Sequence, residues 1–217
     1  MKKFTSPLLL TVMISFYTTS NSFSQKSDGK SEKENYSVVT GGVGFSLAGL
    51  LFSVVQRAGN SIPGTDFSLA HTPVIVGNFD YVFKHRFSLG ASYTYQSFSL
   101  SYTNYQYNSN GVQLLGTWKD KITRANYAVR PIFHFGDKED LDPYLGVRLG
   151  FTQWAYKSTN PDPYYSTGDF YGSKFSPGIK FQAFFGVRYY FTDMIGFNAE
   201  LAIGPTYYSM LGLSAKF

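Results

Sequence analysis

The chain has 217 residues, a formal net charge of +5 and no cysteine, so we expect neither a disulfide framework nor a lipid-modified amino-terminal cysteine. The positive charge is small and scattered along the chain, which argues against a nucleic-acid-binding protein. Aromatic residues make up 19% of the chain, and most of them are Tyr and Phe. A tyrosine-rich composition of this kind suits the interfacial girdles of membrane β-barrels.

The beginning of the chain has the pattern of a secretory signal peptide. Lys2 and Lys3 form a short basic start, and a mostly apolar run follows from Pro7 to Tyr17. Ser22 and Ser24 are small residues at the −3 and −1 positions of a cleavage site. We therefore predict a signal peptide over residues 1–24, cleaved near Ser24. A retained membrane helix is the weaker alternative because the apolar run is too short to span a bilayer.

The mature chain is predicted to form one domain after a short lead-in. Residues 25–35 are polar, charged and without periodicity, which indicates a flexible segment. Residues 36–217 are predicted as the folded domain. Loss of Lys2 and Lys3 with the signal peptide lowers the net charge to about +3.

The mature sequence contains alternating segments and has no run of 18 apolar residues, so no transmembrane helix is predicted there. In about eight segments, apolar side chains alternate with small or polar ones, which is the period of a β-strand with two different faces. The pattern is cleanest in Phe87–Gln96. In chain order, the predicted strands are residues 36–47, 73–83, 87–96, 122–135, 144–156, 179–191, 195–203 and 211–217.

Two places fit this pattern less well. Residues 47–55 are apolar on both faces, so the first strand either continues there or is followed by a short helix over the mouth of the barrel. Pro131 lies within the fourth predicted strand, where it removes one hydrogen bond of the ladder and can mark a bulge.

The lengths of the connections predict the topology. Links after the second, fourth and sixth strands are short turns, whereas those after the first, third and fifth run to about twenty residues. This alternation is typical of an up-and-down barrel with tight periplasmic turns and longer surface loops. A soluble β-sandwich does not require it, so we predict an all-β, eight-stranded antiparallel up-and-down transmembrane β-barrel.

The last part of the chain carries a family resemblance. The segments Phe185–Leu201 (FGVRYYFTDMIGFNAEL) and Gly212–Phe217 (GLSAKF) resemble the closing hairpins of OmpA/OmpX-like outer-membrane β-barrels, also called porin-family proteins. The resemblance implies an eight-stranded barrel in the bacterial outer membrane. It also implies that Phe217 serves as a sorting residue read by the barrel-assembly machinery. It implies little about activity, because the family includes structural, adhesive, secretory and enzymatic members.

Charged residues are predicted to face the lumen, which in an eight-stranded barrel is just wide enough for side chains to fill. An isolated buried ion is very costly, so we expect these charges to pair in a structural network. Lys216 is a candidate partner of Glu200, one strand away. The alternative is a narrow, anion-leaning channel, because the basic residues outnumber the acidic ones. The predicted network consists of Asp80, Arg124, Arg130, Arg148, Lys180, Arg188, Glu200 and Lys216.

A lipid A-modifying enzyme is a further alternative, since such barrels need a histidine, a hydroxyl and often a carboxylate near the outer leaflet. His85 and His134 are predicted near the periplasmic rim, on the wrong side for that lipid. His71, with Ser68 and Asp66 close in sequence, is the one candidate base. Such a grouping arises easily by chance in a polar loop, so no catalytic, cofactor-binding or metal-binding residue is predicted.

The predicted surface loops are rich in tyrosine. Tyrosines 102, 105 and 107 precede an Asn-Ser-Asn-Gly segment, and tyrosines 164, 165 and 171 lie among Asn, Pro, Asp and Gly. Such loops suit contact with a protein or a glycan. The other interpretation makes these tyrosines an aromatic girdle with strand extensions above it. Asp162 and Asp169 lack the spacing of a calcium-binding loop.

The sequence thus predicts a non-enzymatic outer-membrane barrel with a structural or surface-interaction role. A PorT-like barrel associated with secretion or assembly is the first alternative, followed by the lipid-modifying enzyme and the narrow channel. Expected partners are outer-membrane lipid, the barrel-assembly machinery and a surface protein or glycan, but no nucleic acid.

Overall fold

The computed structural model describes residues 35–59, 66–83, 86–107, 113–136, 140–159 and 174–217. The predicted signal peptide and most of the lead-in lie outside these residues. One helix, α1 (Leu47–Gly59), lies between the first two strands of the described chain. The strands are β1 (Tyr36–Phe45), β2 (Asp66–His71), β3 (Val74–Phe83), β4 (Phe87–Tyr107), β5 (Gln113–His134), β6 (Leu141–Thr159), β7 (Lys174–Tyr190), β8 (Ile195–Ile203) and β9 (Ser209–Lys216).

The strands form one closed antiparallel barrel. Around the wall the order is β1-β3-β4-β5-β6-β7-β8-β9, and β9 pairs again with β1. Each position around this wall is called a stave below. The short β2 lies above β3 on the same neighbour, β4, so the two strands share one stave and the barrel has eight. The prediction of an eight-stranded up-and-down barrel is confirmed.

The seam of the barrel joins the beginning and the end of the domain. Val38 pairs with Lys216 and Phe45 pairs with Ser209 in the β1–β9 ladder. At its lower end, Ser37 and Phe217 exchange two backbone hydrogen bonds, of 2.8 and 3.0 Å. The terminal strand is therefore hydrogen-bonded along its whole length.

The outer wall is apolar and the inner wall is mostly polar. On β8, the side chains of Ile195, Phe197, Leu201 and Ile203 are exposed, whereas those of Asn198 and Glu200 between them are buried. The same alternation runs around the barrel, and the outward apolar side chains together form what we call the apolar band. A soluble protein rarely exposes so large an apolar surface.

The height of the apolar band suits a membrane. On β4 it extends from Phe87 to Tyr95, which fits the about 9–11 residues of a membrane-crossing strand. The rings of Tyr93, Tyr127 and Phe151 are in contact across three neighbouring strands near its upper edge, at centroid distances of 5.2 and 5.3 Å. An apolar band edged by aromatic rings is the lipid-facing surface of a transmembrane barrel. Among the described residues, no helix is long and apolar enough to cross a membrane.

Four strands continue well above the apolar band. The β4–β5 ladder runs unbroken to the pair Tyr107 and Gln113, so most of the link predicted after the third strand is strand, and the predicted bounds of the third and fourth strands were too short. Above Tyr95 the outward residues are polar, such as Ser99 and Lys121, so alternation with apolar residues is lost. We call the upper parts of β4–β7, together with β2, the tall wall. β8, β9 and β1 end near the band and form a low edge on the other side.

The second stave is interrupted at Thr72 and Pro73. His71 pairs with Phe98 but Ile75 pairs with Tyr95, so three residues face two and a bulge results. The sequence placed residues 66–71 in a surface loop, whereas they form β2. The interruption lies where a proline cannot donate a hydrogen bond to the ladder.

Other details correct the expectations for individual strands. The β5–β6 register is the same before and after Pro131, from the pair Val129–Leu149 to the pair Ile132–Gly146, so Pro131 marks no bulge. The register shift lies instead between Gly150 and Thr152 on β6. Of the two interpretations of residues 47–55, the helix is found. Ser46 caps it, because its Oγ accepts a hydrogen bond from Gly49 N at 3.1 Å.

Candidate functional site in the barrel interior and at its outer rim

Two carboxylates and three arginines form the centre of the lumen. Asp80 on β3 is ion-paired with Nε of Arg130 at 3.2 Å and with Arg188 on the opposite wall. Glu200 on β8 accepts from Nη2 of Arg130 at 2.7 Å and is also ion-paired with Arg148. Arg130 therefore links the two carboxylates. All five residues belong to the predicted inward set.

Uncharged side chains complete the coordination of Glu200. The Tyr144 hydroxyl donates to its Oε1 at 2.8 Å, and the Tyr207 hydroxyl donates to its Oε2 at 2.6 Å. Gln182 accepts from Nη1 of Arg148 at 3.2 Å and donates to the Tyr207 backbone carbonyl at 2.6 Å. Both oxygens of this buried carboxylate thus receive charge-assisted hydrogen bonds, which are the strong kind.

Aromatic rings cover the arginines that the carboxylates hold. The Phe184 ring lies 4.1 Å from the guanidinium of Arg148 and 4.7 Å from that of Arg130. The Tyr144 ring lies 4.6 Å from the guanidinium of Arg188. A cation over a ring face gains most where water is absent. Rings and ions together fill the cross-section of the lumen.

A second group lies below, near the periplasmic rim. His134 Nδ1 is 2.7 Å from Oδ1 of Asp142, and its Nε2 is 2.9 Å from the Ser88 hydroxyl. Asp142 is also within 3.4 Å of Nη1 of Arg188, which connects this group to the central network. Residue 142 lies in the short turn predicted between the fourth and fifth strands, but β6 begins at Leu141 and directs Asp142 inward.

The order of hydroxyl, imidazole and carboxylate in this group is that of a hydrolase triad. Its burial is not. Ser88 is 0% exposed, His134 2% and Asp142 8%. A nucleophilic serine must meet its substrate, and this hydroxyl is enclosed by the barrel wall and the network above it. The geometry suits a hydrogen-bonded structural element.

The charges of the central network, counted together with Asp142, balance. Arg130, Arg148 and Arg188 meet Asp80, Asp142 and Glu200, three positive groups against three negative ones, when His134 is neutral. Arg130 and Arg188 are 0% exposed and Arg148 is 1% exposed. The surplus of basic residues that suggested an anion-leaning channel is absent from the centre of the lumen.

Three of the predicted network residues lie outside it. Arg124, near the upper mouth, donates to the backbone carbonyls of Pro205 and Thr206 at 2.9 and 2.8 Å, and to Gln96 Oε1 at 2.9 Å. Lys180 faces inward on β7 but forms no ion pair within the part of the chain that the structure describes. Lys216 lies over the rings of Tyr36 and Tyr190, at 5.5 and 5.0 Å.

The proposed contact between Lys216 and Glu200 is not formed. The β8–β9 register pairs Glu200 with Met210, so Lys216 lies six residues farther down its strand. Neighbouring strands of a barrel are staggered, so residues on adjacent strands can lie at different heights along the barrel axis.

His71 has a structural neighbour rather than the expected catalytic ones. Its Nε2 is 3.1 Å from the hydroxyl of Ser53 on α1, and its Nδ1 is 3.2 Å from the carbonyl of Thr72. Ser68 and His71 occupy different faces of β2, since successive strand residues point alternately and these are three apart. The sequence grouping therefore does not form a catalytic site.

The tall wall carries the described part of the tyrosine-rich segments. Tyr102 stacks on Trp118 of the neighbouring strand, with ring centroids 5.4 Å apart and planes 10° apart. Burial raises the pKa of Tyr102, and the Asp120 carboxylate adds to that shift, so its phenol stays neutral at physiological pH. The interpretation of these residues as strand extension applies to Tyr102. Tyrosines 164, 165 and 171 and aspartates 162 and 169 lie outside the described residues.

A groove of about 730 Å³ lies on the outer wall rather than in the lumen. It crosses Gly77, which has no side chain, and Ala91, which has only a methyl group, and these leave space between Phe79, Tyr93 and Tyr127. Its lining is apolar and belongs to the apolar band, so lipid acyl chains fit it.

The sequence signal missed several members of the interior group. Ser88, Asn198, Tyr144 and Gln182 are polar or amphipathic residues at inward positions of predicted strands, but a charge-based search passes over them. Asp142 was missed because three other acidic residues and a lysine precede it within seven residues, which predicts a turn. Tyr207 follows Gly204-Pro205 and had no strand pattern to indicate its direction.

The closed antiparallel wall, the apolar band and the charged interior define an integral outer-membrane β-barrel protein. No protein-family model matches the chain, and no curated protein matches its sequence.

Solved outer-membrane proteins have similar structures. OprG of Pseudomonas aeruginosa is 10% identical, with a TM-score of 0.49, over 86% of this chain and 97% of that one. The amino-terminal β-barrel domain of Pseudomonas aeruginosa OprF is 13% identical, with a TM-score of 0.42, over 84% and 97%. Ail, the attachment invasion locus protein of Yersinia pestis, was solved with the heparin analogue sucrose octasulfate. It is 11% identical, with a TM-score of 0.43, over 85% of this chain and 99% of that one. At these identities the similarity is one of fold.

Proposed function

We propose that this protein is a non-enzymatic outer-membrane barrel that acts at the cell surface through its tall wall. The observation that carries the proposal is the complete burial of Arg130 and Arg188 inside a charge-balanced network. We infer from this burial that the lumen does not conduct. We therefore assign the function to the part of the molecule that extends outside the membrane, which is the tall wall.

The tall wall supports a role in binding. Its strands are joined by continuous backbone hydrogen bonds, so a partner meets a surface that is already ordered. On the periplasmic side, the described turn between β7 and β8 (residues 191–194) is much shorter than the tall wall, which disfavours the secretion-associated alternative.

The charge of the outer face of this wall indicates an anionic partner. Lys121 and Lys157 are directly opposite each other in the β5–β6 ladder, and Lys119 lies two residues above Lys121 on the same face. All three are exposed. A cluster of exposed basic side chains attracts anionic groups and raises their rate of encounter. A polyanionic glycan has the required chemistry.

Surface binding can be tested with two polymers that differ only in charge. Cells that display the protein are expected to be retained on dextran sulfate and not on neutral dextran. The variant Lys119→Glu/Lys121→Glu should abolish retention, whereas Ser101→Glu, on the same face but without loss of a lysine, should weaken it less. Equal retention on both polymers, or retention unchanged in the lysine variant, would contradict the proposed role.

Catalysis and conduction have separate tests. A fluorophosphonate probe should leave Ser88 unlabelled in the folded barrel, and the lipid A profile of cells should be the same with the wild type and with His71→Ala. Planar-bilayer recordings should show no conductance above the baseline. A covalent adduct that disappears in Ser88→Ala would revive the enzyme hypothesis, and stable conductance steps would revive the channel.

A further inference from the structure

Helix α1 has one face packed on the barrel. The Phe52 ring lies 4.4 Å from that of Phe98 on β4, and the Ser53 hydroxyl is hydrogen-bonded to His71 on β2. Gly49 is buried against His71 and Gln96, where a Cβ would lie 3.1–3.3 Å from their side chains. This face therefore fixes the helix against the inner side of the second and third staves.

The opposite face of α1 is apolar and uncovered. Five residues on it, which recur with the spacing of one helix face, are 50–63% exposed. They are Leu47, Leu50, Leu51, Val54 and Val55. A helix in water would present polar residues there, so this stripe requires an apolar environment.

This apolar stripe continues the apolar band. Val39, Val43 and Phe45 are outward residues of β1 with exposed fractions of 39, 44 and 63%, and only Ser46 separates Phe45 from Leu47. Tyr208, 43% exposed, donates from its backbone N to the carbonyl of Phe45 at 2.8 Å. α1 therefore begins at the upper edge of the lipid-facing surface, directly after β1 of the low edge, and its uncovered face points away from the tall wall.

We propose that α1 is an interfacial helix whose exposed stripe lies in the outer leaflet of the membrane, against lipid acyl chains. Its charge agrees with this placement. The sequence LAGLLFSVVQRAG contains no acidic residue, and its one charged residue, Arg57, lies in the last turn. A helix with one apolar face and no acidic residue suits the boundary between acyl chains and headgroups.

The proposal gives His71 a positioning role. Through Ser53 it fixes the rotation of α1, so that Phe52 meets the barrel and Leu50 and Val54 point away. The inference depends on the transmembrane barrel and on α1 alone, and it is independent of the lysine surface proposed above for glycan binding.

Spin labels can measure where the stripe lies, because the chain contains no native cysteine. Nitroxides are attached to Leu50→Cys and Val54→Cys in barrels reconstituted into vesicles of phosphatidylcholine and phosphatidylglycerol. Leu213→Cys in the apolar band provides the lipid reference, and Ser99→Cys on the tall wall provides the aqueous one. Heat-modifiable mobility on a detergent gel establishes that each variant has folded.

Collision rates with oxygen and with a water-soluble nickel complex give the result. Labels at Leu50 and Val54 are expected to have oxygen-to-nickel ratios several-fold above that of Ser99 and close to that of Leu213. Ratios equal to that of Ser99 would overturn the proposal. Dipolar broadening at both labels would also overturn it, because a second copy of the chain would then cover the stripe.

Discussion

Arg130 on β5 and Glu200 on β8 are joined at 2.7 Å although their strands are three staves apart around the barrel. Arg188 and Asp80 are four staves apart, on opposite walls, and they are ion-paired as well. Neither pair of strands shares a backbone hydrogen bond. The side-chain network thus fixes the distance between walls that the ladders connect only through their neighbours.

Glu200→Gln should be strongly destabilising. Arg130 and Arg148 would keep their charges in a dry interior with one carboxylate fewer, and breaking a buried ion pair in this way costs about 3–5 kcal/mol. Urea unfolding in phospholipid vesicles, followed by tryptophan fluorescence, measures the change. Lys180→Gln removes a lumen-facing charge outside the network and should change stability by less than about 0.5 kcal/mol. Similar losses in the two variants would mean that the network has no special role.

Gly186→Ala should destabilise the barrel by crowding a single ring. A Cβ at this position would overlap the side chain of Tyr144, which is 0% exposed and donates to Glu200. Overpacking of this kind costs about 1–3 kcal/mol. The same urea titration applies.

Gly77→Ala is the matched control for that substitution. A Cβ at Gly77 meets nothing within 4 Å and would point toward lipid. Alanine there should be neutral or stabilising by about 0.4–1 kcal/mol, because it restricts the unfolded chain. Equal losses at the two glycines would contradict the packing described around Tyr144.

Trp118→Ala should loosen the tall wall without affecting the apolar band. The stack of Trp118 on Tyr102 is worth about 0.5–1.5 kcal/mol beyond the area it buries, and it lies far above the ion-pair network. Hydrogen exchange should quicken at the backbone amides of residues 98–103 and stay unchanged at those of residues 87–95. Lys119→Ala, at the neighbouring exposed position, should leave both segments unchanged. Faster exchange throughout β4 would indicate that wall and band open as one unit.

Phe217→Ala should separate assembly from stability, on the proposal that Phe217 is a sorting residue. The backbone hydrogen bonds between Phe217 and Ser37 do not need the ring, so the β1–β9 seam should still form on refolding into vesicles. The amount of protein in the outer membrane of cells should fall several-fold. Phe197→Ala removes a similarly exposed ring from the band and should leave that amount near the wild-type value. Equal amounts of the two variants in the membrane would exclude a sorting role.

The sequence predicted the membrane-crossing part of the barrel well because lipid and lumen impose opposite preferences on successive residues. Ile195–Ile203 was predicted with the bounds that the structure has. Above the apolar band, both faces of a strand meet water or the protein itself. Ser97, Ser99 and Lys121 then follow no period, so the upper halves of β4 and β5 could not be recognised as strand.

The sequence predicted which charged side chains face the lumen, but it predicted only some of the ion pairs that they form. Alternation places Arg130, Arg148 and Glu200 inside, and burial requires that they pair. Which charges meet depends on the stagger of the strands, which brings β5 and β8 to the same height at Arg130 and Glu200 and keeps Lys216 far below. A sequence read one strand at a time does not contain that stagger.

The β1–β9 seam constrains the order in which the barrel can form. β1 pairs with β3, which lies near it in the sequence, but its second ladder needs β9, which is separated from it by the whole domain. Until that last ladder forms, two strand edges remain unsatisfied, and an open edge is unsustainable in hydrocarbon and prone to aggregate in water. A folding intermediate therefore needs the free edges of β1 and β9 to be covered until the two strands can pair in the membrane. Once Ser37 and Phe217 have formed their two backbone hydrogen bonds, the β1–β9 ladder is complete and neither edge needs protection.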